Sequence, residues 1–228
     1  ELTEYFSPGK YQLRETPKPS LENTLNVVKV IENSKRPLIY CGGGVTFSDN
    51  AQKLEKLAEK IQAPVCLSMM GLSSLSPESP YYLGLVGMHG TTAANRAVLD
   101  CDLLIAVGAR FSDRVTGNRE KFAENAKIIH IDIDQSEISK NVRADYSLIG
   151  DSGDCLEMLL CNLPEQKRPD WMHAVLKNKA LNTLPDIKTD DNEISAKEVI
   201  TTLNKIAGPD TIIATDVGQH QMFVAQYY

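Results

Sequence analysis

The sequence predicts a doubly wound, mostly parallel α/β sheet with an incomplete second α/β unit behind it. Three observations carry the prediction. Short apolar runs recur at 37–41, 64–67, 103–107, 127–134 and 146–149. Segments with apolar residues at helical spacing separate them, and this alternation over roughly 130 residues has the length of βαβ crossovers. The run Gly108-Ala-Arg-Phe-Ser-Asp-Arg-Val-Thr-Gly-Asn118 directly follows one of the apolar runs. That places it outside the carboxyl end of a strand, where open α/β sheets bind ligands.

Residues 1–20 are polar and hold Pro8, Gly9, Pro17 and Pro19, the composition of an extended connector. Leu25, Val28 and Ile31 mark a first helix. Pro37-Leu-Ile-Tyr-Cys41 reads as a buried strand that runs into Gly42, Gly43 and Gly44. Residues 49–62 place Leu54, Leu57, Ala58 and Ile61 on one helical face. Pro64-Val-Cys-Leu67 is a second strand, ending in Ser68-Met-Met-Gly71. A loop with Pro77 and Pro80 leads to Leu85-Val-Gly-Met-His-Gly90, and Thr91 is placed to N-cap a helix through Leu99. The third, fourth and fifth strands follow at 103–107, 127–134 and 146–149, and a helix over 153–162 closes the unit.

The remainder has a different texture. Residues 164–192 hold Pro164, Pro169, Pro185 and several acids around one short helical stretch, the pattern of an interdomain connector. Ser195-Ala-Lys-Glu198 has capping-box spacing for a helix to about Ile206. Thr211-Ile-Ile-Ala-Thr215 reads as a strand, and Asp216-Val-Gly-Gln-His-Gln221 turns into a further helix. One α–β–α piece buries too little surface to stand as a domain. It is expected to open a second domain, and the chain to be a fragment of a longer polypeptide.

Composition narrows the function. The 228 residues are 42% apolar and 24% charged, as in a soluble globular protein. A net charge of −6 leaves no basic stripe to neutralise nucleic-acid phosphates. No apolar run approaches a membrane span and no signal peptide is visible. The five cysteines (Cys41, Cys66, Cys101, Cys155 and Cys161) lie in or beside apolar segments without a C-x-x-C pair. They read as buried, reduced thiols of an intracellular protein and not as metal ligands.

Several motifs have a chemical and a plain reading. Arg110 and Arg114, with Arg119 just beyond, offer forked guanidiniums that suit a phosphate or diphosphate. The alternative is a solvated basic loop paired with Asp113 and Glu120. Gly42-Gly43-Gly44 sits where a dinucleotide-binding turn belongs, but it is not G-x-G-x-x-G. The second strand ends in Ser68-Met69 without an acid for a ribose hydroxyl, which disfavours ordinary NAD binding and leaves a simple tight turn or another nucleotide arrangement. His130, Asp132 and Asp134 alternate onto one strand face. Asp132 could accept from adenosine hydroxyls or ring nitrogens, or the set could be a helix cap at Asp134 plus a satisfied polar residue. His89 beside Gly90 and His220 after Gly218 each open a helix, where anions are favoured, yet a lone His is as often a capping or packing residue. No Ser-His-Asp spacing, metal constellation or Walker-type lysine occurs, and no residue is assigned as catalytic or as a metal ligand.

Six segments, in order and at similar spacing, resemble the catalytic large subunit of acetolactate synthase (acetohydroxyacid synthase), a family of thiamine diphosphate enzymes that carry FAD. They are Tyr40-Cys-Gly-Gly-Gly44, Ser68-Met-Met-Gly-Leu72, Gly87-Met-His-Gly-Thr91, Ala109-Arg-Phe-Ser-Asp-Arg-Val-Thr-Gly117, His130-Ile-Asp-Ile-Asp134 and Thr215-Asp-Val-Gly-Gln-His-Gln-Met222. The likeness covers essentially the whole chain. It implies a connector at 1–20, a Rossmann-like central FAD-binding domain at 21–163, a linker at 164–193, and the start of the thiamine diphosphate-binding domain at 194–228. FAD contacts implied by matching position are Gly42, Gly43 and Gly44, then Ser68 and Met69, then Val86, Gly87, Met88 and His89. Gly108, Ala109, Arg110, Phe111 and Ser112 follow with Arg114 and Val115. Asp132 and Ile133 would hold the adenosine end, with Asp151 and Ser152 nearby. Gln219 and His220 match the start of the thiamine diphosphate site. Two departures are Ser112-Asp113, where the family commonly has two acids, and Phe223, where tryptophan is frequent.

The resemblance implies condensation of two pyruvates, or of pyruvate and 2-ketobutyrate, with loss of CO2, in branched-chain amino-acid biosynthesis. It places the thiamine-activating glutamate in a preceding domain and the Mg2+ ligands after Tyr228, so the chain alone would be inactive. It further implies 2-keto acid substrates, a homodimer or homotetramer with a possible regulatory small subunit, and a cytoplasmic or, in a eukaryote, organellar setting. Related central domains occur in pyruvate oxidases and glyoxylate carboligases, and a stand-alone nucleotide-binding regulatory module is the alternative of another class.

Overall fold

Five consecutive apolar residues form β1 (Pro37–Cys41), the strand from which the sheet grows in both directions. The computed structural model describes residues 15–181, 194–208 and 210–228. To one side of β1 lie β2 (Val65–Leu67) and β3 (Tyr82–Leu85). To the other lie β4 (Leu103–Val107), β5 (Lys127–Asp132) and β6 (Tyr146–Ile149). The order is β3-β2-β1-β4-β5-β6 and every pairing is parallel. Successive strands therefore extend the sheet on opposite sides of β1, and the switch between β1 and β4 opens a crevice at their carboxyl ends.

Strands covered on both faces are apolar throughout, and β1 and β4 have no exposed residue. Alternation sends their side chains into two cores. Ile39, Ile105, Ile129 and Leu148 pack beneath α1 (Leu21–Asn33), α3 (Ala51–Ile61) and α6 (Ser152–Asn162). Leu38, Tyr40, Leu104 and Ala106 pack beneath α4 (Thr92–Asp100) and α7 (Pro169–Leu181). Each buried Leu or Ile contributes about 1.5–3 kcal/mol over exposure.

Helix ends are held by the expected chemistry. Thr91 Oγ1 accepts from the Ala94 N–H at 3.0 Å, and Ser195 with Glu198 forms the reciprocal capping box of α8 (Ala196–Ile206). Arg168 is buried and donates to the carbonyls of Ile31 (2.7 Å), Ser34 (3.0 Å) and Ile61. It thereby caps the carboxyl ends of α1 and α3, where a cation also meets the helix dipoles.

Five sequence readings are corrected. β3 was not expected. It is a four-residue edge strand that contains Gly84 and pairs with β2 in an irregular register, so it has no period-two signal. Thr211–Thr215 is not a strand, because no described strand runs beside it to supply a ladder. The fourth strand ends at Asp132, and Asp134 instead caps the 3-10 turn Gln135–Glu137 by accepting from Ser136. The short helical stretch after Pro164 is the 13-residue α7, whose Trp171 and Val175 are buried in the second core. Cys161 is exposed, although Cys41, Cys66, Cys101 and Cys155 are buried thiols without disulfides. Residues 1–14 of the expected connector and 182–193 of the expected linker, with Pro185, lie outside the described residues.

Candidate functional site

The sheet's carboxyl edge holds a cleft of about 860 Å³, within the size range of small-molecule and cofactor sites. Each of the six strands delivers a loop to it. After β1, Gly42–Gly44 lead into the short helix α2 (Gly43–Phe47). The β4 loop begins at Gly108, with φ of 58°, and the two turns interlock. Gly42 N–H donates to Val107 O at 2.9 Å and Gly44 N–H to Gly108 O at 3.1 Å. A Cβ on Gly44 would lie 2.8 Å from Gly108 Cα. The triple glycine thus permits two backbones to touch, which explains it without a G-x-G-x-x-G pattern.

The β2 loop contributes Ser68 and Met69, and the β3 loop contributes Val86, Met88 and His89. Gly87 does not line the cleft. Its φ is 105° and a Cβ there would sit 2.7 Å from Val115 Cα, so it is the contact point of the β3 and β4 loops. Met88 N–H donates to Arg114 O across that contact at 2.9 Å. In the β4 loop, Gly108, Ala109, Arg110, Ser112, Arg114 and Val115 face the cleft, the last three at or in α5 (Asp113–Thr116). Arg110 and Arg114 form no ion pair with a described residue. The expected pairing with Asp113 and Glu120 is not found among the described residues, although both arginines are exposed.

Phe111 does not line the cleft either. It is 1% exposed with φ of 50°, and its ring packs against Tyr40, Phe122 and His130 at centroid distances of 5.6, 6.0 and 5.0 Å. Beneath it, buried His130 places Nε2 2.9 Å from Ala109 O. Burial pushes the imidazole below its usual pKa, and Asp132 offsets part of that shift. Nδ1 has no hydrogen-bond partner among the described residues. His130 and Phe111 thus form the floor beneath the β4 loop, where His130 fixes the Ala109 carbonyl and Asn141 Nδ2 donates to the Arg110 carbonyl at 3.0 Å.

At the far end, Asp132, Ile133, Asp151 and Ser152 line the cleft. Asp132 Oδ1 accepts from Asp134 N–H at 2.9 Å, and Asp151 caps α6 through Gly153 N–H at 2.7 Å. Ser152 Oγ meets Ser48 Oγ at 2.5 Å. Ser48, Phe47, Met70 and Tyr40 also line the cleft and were not foreseen. α2 sets Phe47 and Ser48 there, and five residues are too few to show a helical period. Gln219 and His220 begin α9 (Gln219–Tyr227) and do not line the cleft, whereas Gln221 and Met222 do. A second cavity, about 870 Å³, lies at the opposite edge beside Arg36, Lys167 and Arg168. The Arg168 donors there are already given to backbone carbonyls.

Residues 25–159 match the family described as thiamine pyrophosphate enzyme, central domain. The chain belongs to the thiamine pyrophosphate enzymes. Among curated relatives, a probable acetolactate synthase large subunit of Methanocaldococcus jannaschii is 42% identical over 240 residues, covering all of this chain and 40% of its own. The acetolactate synthase large subunit of Cyanidium caldarium is 42% identical, with 92% and 37% covered, and that of Porphyra purpurea 37% identical, with 100% and 40% covered. The chain spans about two fifths of the length of these relatives. The doubly wound sheet is the expected architecture for this thiamine pyrophosphate enzyme domain. Among the described residues, no helix is long and apolar enough to cross a membrane.

Proposed function

We propose that this chain is part of an acetolactate synthase large subunit and that its cleft holds FAD. One observation carries the flavin reading. Two arginines that form no ion pair among the described residues stand after β4 and within α5, at the switch point, in the same cleft as a carboxylate- and hydroxyl-rich end. Bidentate guanidiniums suit a diphosphate. Asp132 and Asp151 with Ser48 and Ser152 suit ribose hydroxyls, and Met69, Met70 and Phe47 offer an apolar wall for a planar ring. The interlocked glycines let the β1 and β4 loops approach closely at the mouth of the cleft, where a Cβ on Gly42 or Gly44 would meet the Gly108 backbone. All 22 positions implied by the resemblance stay assigned, with Gly87 and Phe111 acting by holding loops.

In the whole protein, domains would fall at 21–163 for the flavin-binding unit and from 194 onward for the thiamine diphosphate unit, with 164–193 between them. Gln219 and His220, at the start of α9, would meet thiamine diphosphate. Bound with Mg2+, that cofactor supplies the electron sink for decarboxylating a 2-keto acid. The substrates would be pyruvate with a second pyruvate or 2-ketobutyrate, in a homodimer or homotetramer that takes a regulatory small subunit, in the cytoplasm or an organelle. This chain's own part is to bind and orient. The glycine turns and aromatic floor fix the β4 loop, the arginines neutralise the diphosphate, and the Met and Phe side chains exclude water from the ring.

FAD titration followed by flavin fluorescence quenching tests the reading. Saturable binding is expected, weakened about tenfold or more by Arg110→Ala, since a charge-assisted hydrogen bond contributes roughly 1.5–3 kcal/mol. Equal affinity for ADP would show that the flavin ring makes no contact. NAD binding in place of FAD would overturn the assignment.

A further inference from the structure

α9 touches the cleft at two points that its role at the thiamine site does not require. Gln221 and Met222, in its first turn, form part of the cleft wall. One turn further on, Gln226 Nε2 donates to His89 O at 3.0 Å. His89 belongs to the β3 loop, and that loop is tied to the arginine loop through Met88 N–H and Arg114 O. Met222 and Gln226 are four residues apart and so share one helix face. Neither α8 nor α9 contains a buried residue. α9 packs on α8 and on β3, and its side-chain contacts at Gln221, Met222 and Gln226 reach the walls of the cleft.

We propose that α9 is a clasp on the nucleotide cleft, so that cleft occupancy and the pose of the helix that begins with Gln219 and His220 are coupled through Met222 and the Gln226–His89 hydrogen bond. The proposal rests on the flavin reading above. A ligand filling the cleft covers Met222 and restrains the β3 loop, so the His89 carbonyl is presented to Gln226 in one place. A nine-residue helix moves as a rigid piece, and fixing it at Met222 and Gln226 fixes Gln219 and His220 at its start. Coupling of this kind is reciprocal. Whatever secures Gln219 and His220 also tightens the hold on the nucleotide.

Hydrogen–deuterium exchange on the 228-residue chain, with and without saturating FAD, tests this. FAD is expected to slow exchange of the hydrogen-bonded amides in 222–227 about fivefold or more. Gln226→Ala should abolish most of that protection and weaken FAD about fivefold, the scale of one hydrogen bond. Gln226→Glu should weaken FAD further, because it sets a carboxylate against the His89 carbonyl. Gln and Glu have similar helix propensity, so a merely structural role for the position would not separate them. FAD binding without α9 protection, or with wild-type affinity in Gln226→Glu, overturns the clasp and leaves the flavin reading standing. Absence of FAD binding overturns the flavin reading and the clasp with it.

Discussion

Phe111 tests whether the site is held from below. Its ring is 1% exposed and meets three other rings. Burying a Phe side chain of about 150–250 Å² at about 25 cal/mol per Å² corresponds to about 4–6 kcal/mol. Alanine keeps the Cβ, so truncation should cost about 3–5 kcal/mol. With a urea slope of about 2 kcal/mol per M, the unfolding midpoint falls by about 2 M. The backbone supplies an internal control. φ at Phe111 is 50°, a region glycine enters freely and alanine only at a cost of about 1–2 kcal/mol. Phe111→Gly removes the same ring yet should unfold about 1 kcal/mol later than Phe111→Ala. Urea denaturation followed by circular dichroism reads both numbers. A midpoint for Phe111→Ala within about 0.5 M of the parent, or glycine less stable than alanine, would refute the idea that this residue anchors a strained turn.

Gly44→Ala places a Cβ against the backbone of Gly108, which cannot rotate away. Overpacking of this kind costs about 1–3 kcal/mol, and thermal unfolding should fall with FAD affinity, whereas an unchanged melting temperature and affinity would show the two turns are not locked. His130 gives a pH signature. Its imidazole is held neutral by burial, so between its folded and unfolded pKa values the unfolded chain carries more protons. Stability should be complete above about pH 6.5 and decline below it, with a slope no steeper than about 1.4 kcal/mol per pH unit. His130→Gln should flatten that decline in urea titrations from pH 7 to 5, and parallel curves for the two proteins would count against a neutral buried imidazole.

How much was legible followed from which residues carry period. β1 and β4 are unbroken apolar runs between turns, so they and their crossover helices could be read directly. β3 could not, because Gly84 and an irregular register on a sheet edge leave nothing periodic. Thr211–Thr215 shows the reverse failure: β-branched residues announce a strand, but a strand needs a neighbour. At the site, spacing located Arg110 and the glycines because they follow strands, and Asp132 because it closes one. The roles of Gly87 and Phe111 were not legible, since lining a cleft and holding the loop that lines it leave the same mark in a sequence. Ser48 was missed because it arrives at the cleft through the turn of α2 and not through a strand end.

The same distinction explains why so many small and aromatic residues gather around the loops that line the cleft. Arg110 and Arg114 are exposed, Arg110 on the loop after β4 and Arg114 in the four-residue α5, places where a long side chain alone has little positional definition. Their placement is inherited from backbone contacts: Gly108 against Gly44, Gly87 against Val115, and Met88 N–H on Arg114 O. Beneath these contacts, Phe111 and His130 fill the space that would let the loop relax. Each element is weak alone. Together they hold three neighbouring loops in one arrangement, so on the flavin reading proposed above two solvated cations would meet the diphosphate already placed, with less ordering entropy left to lose.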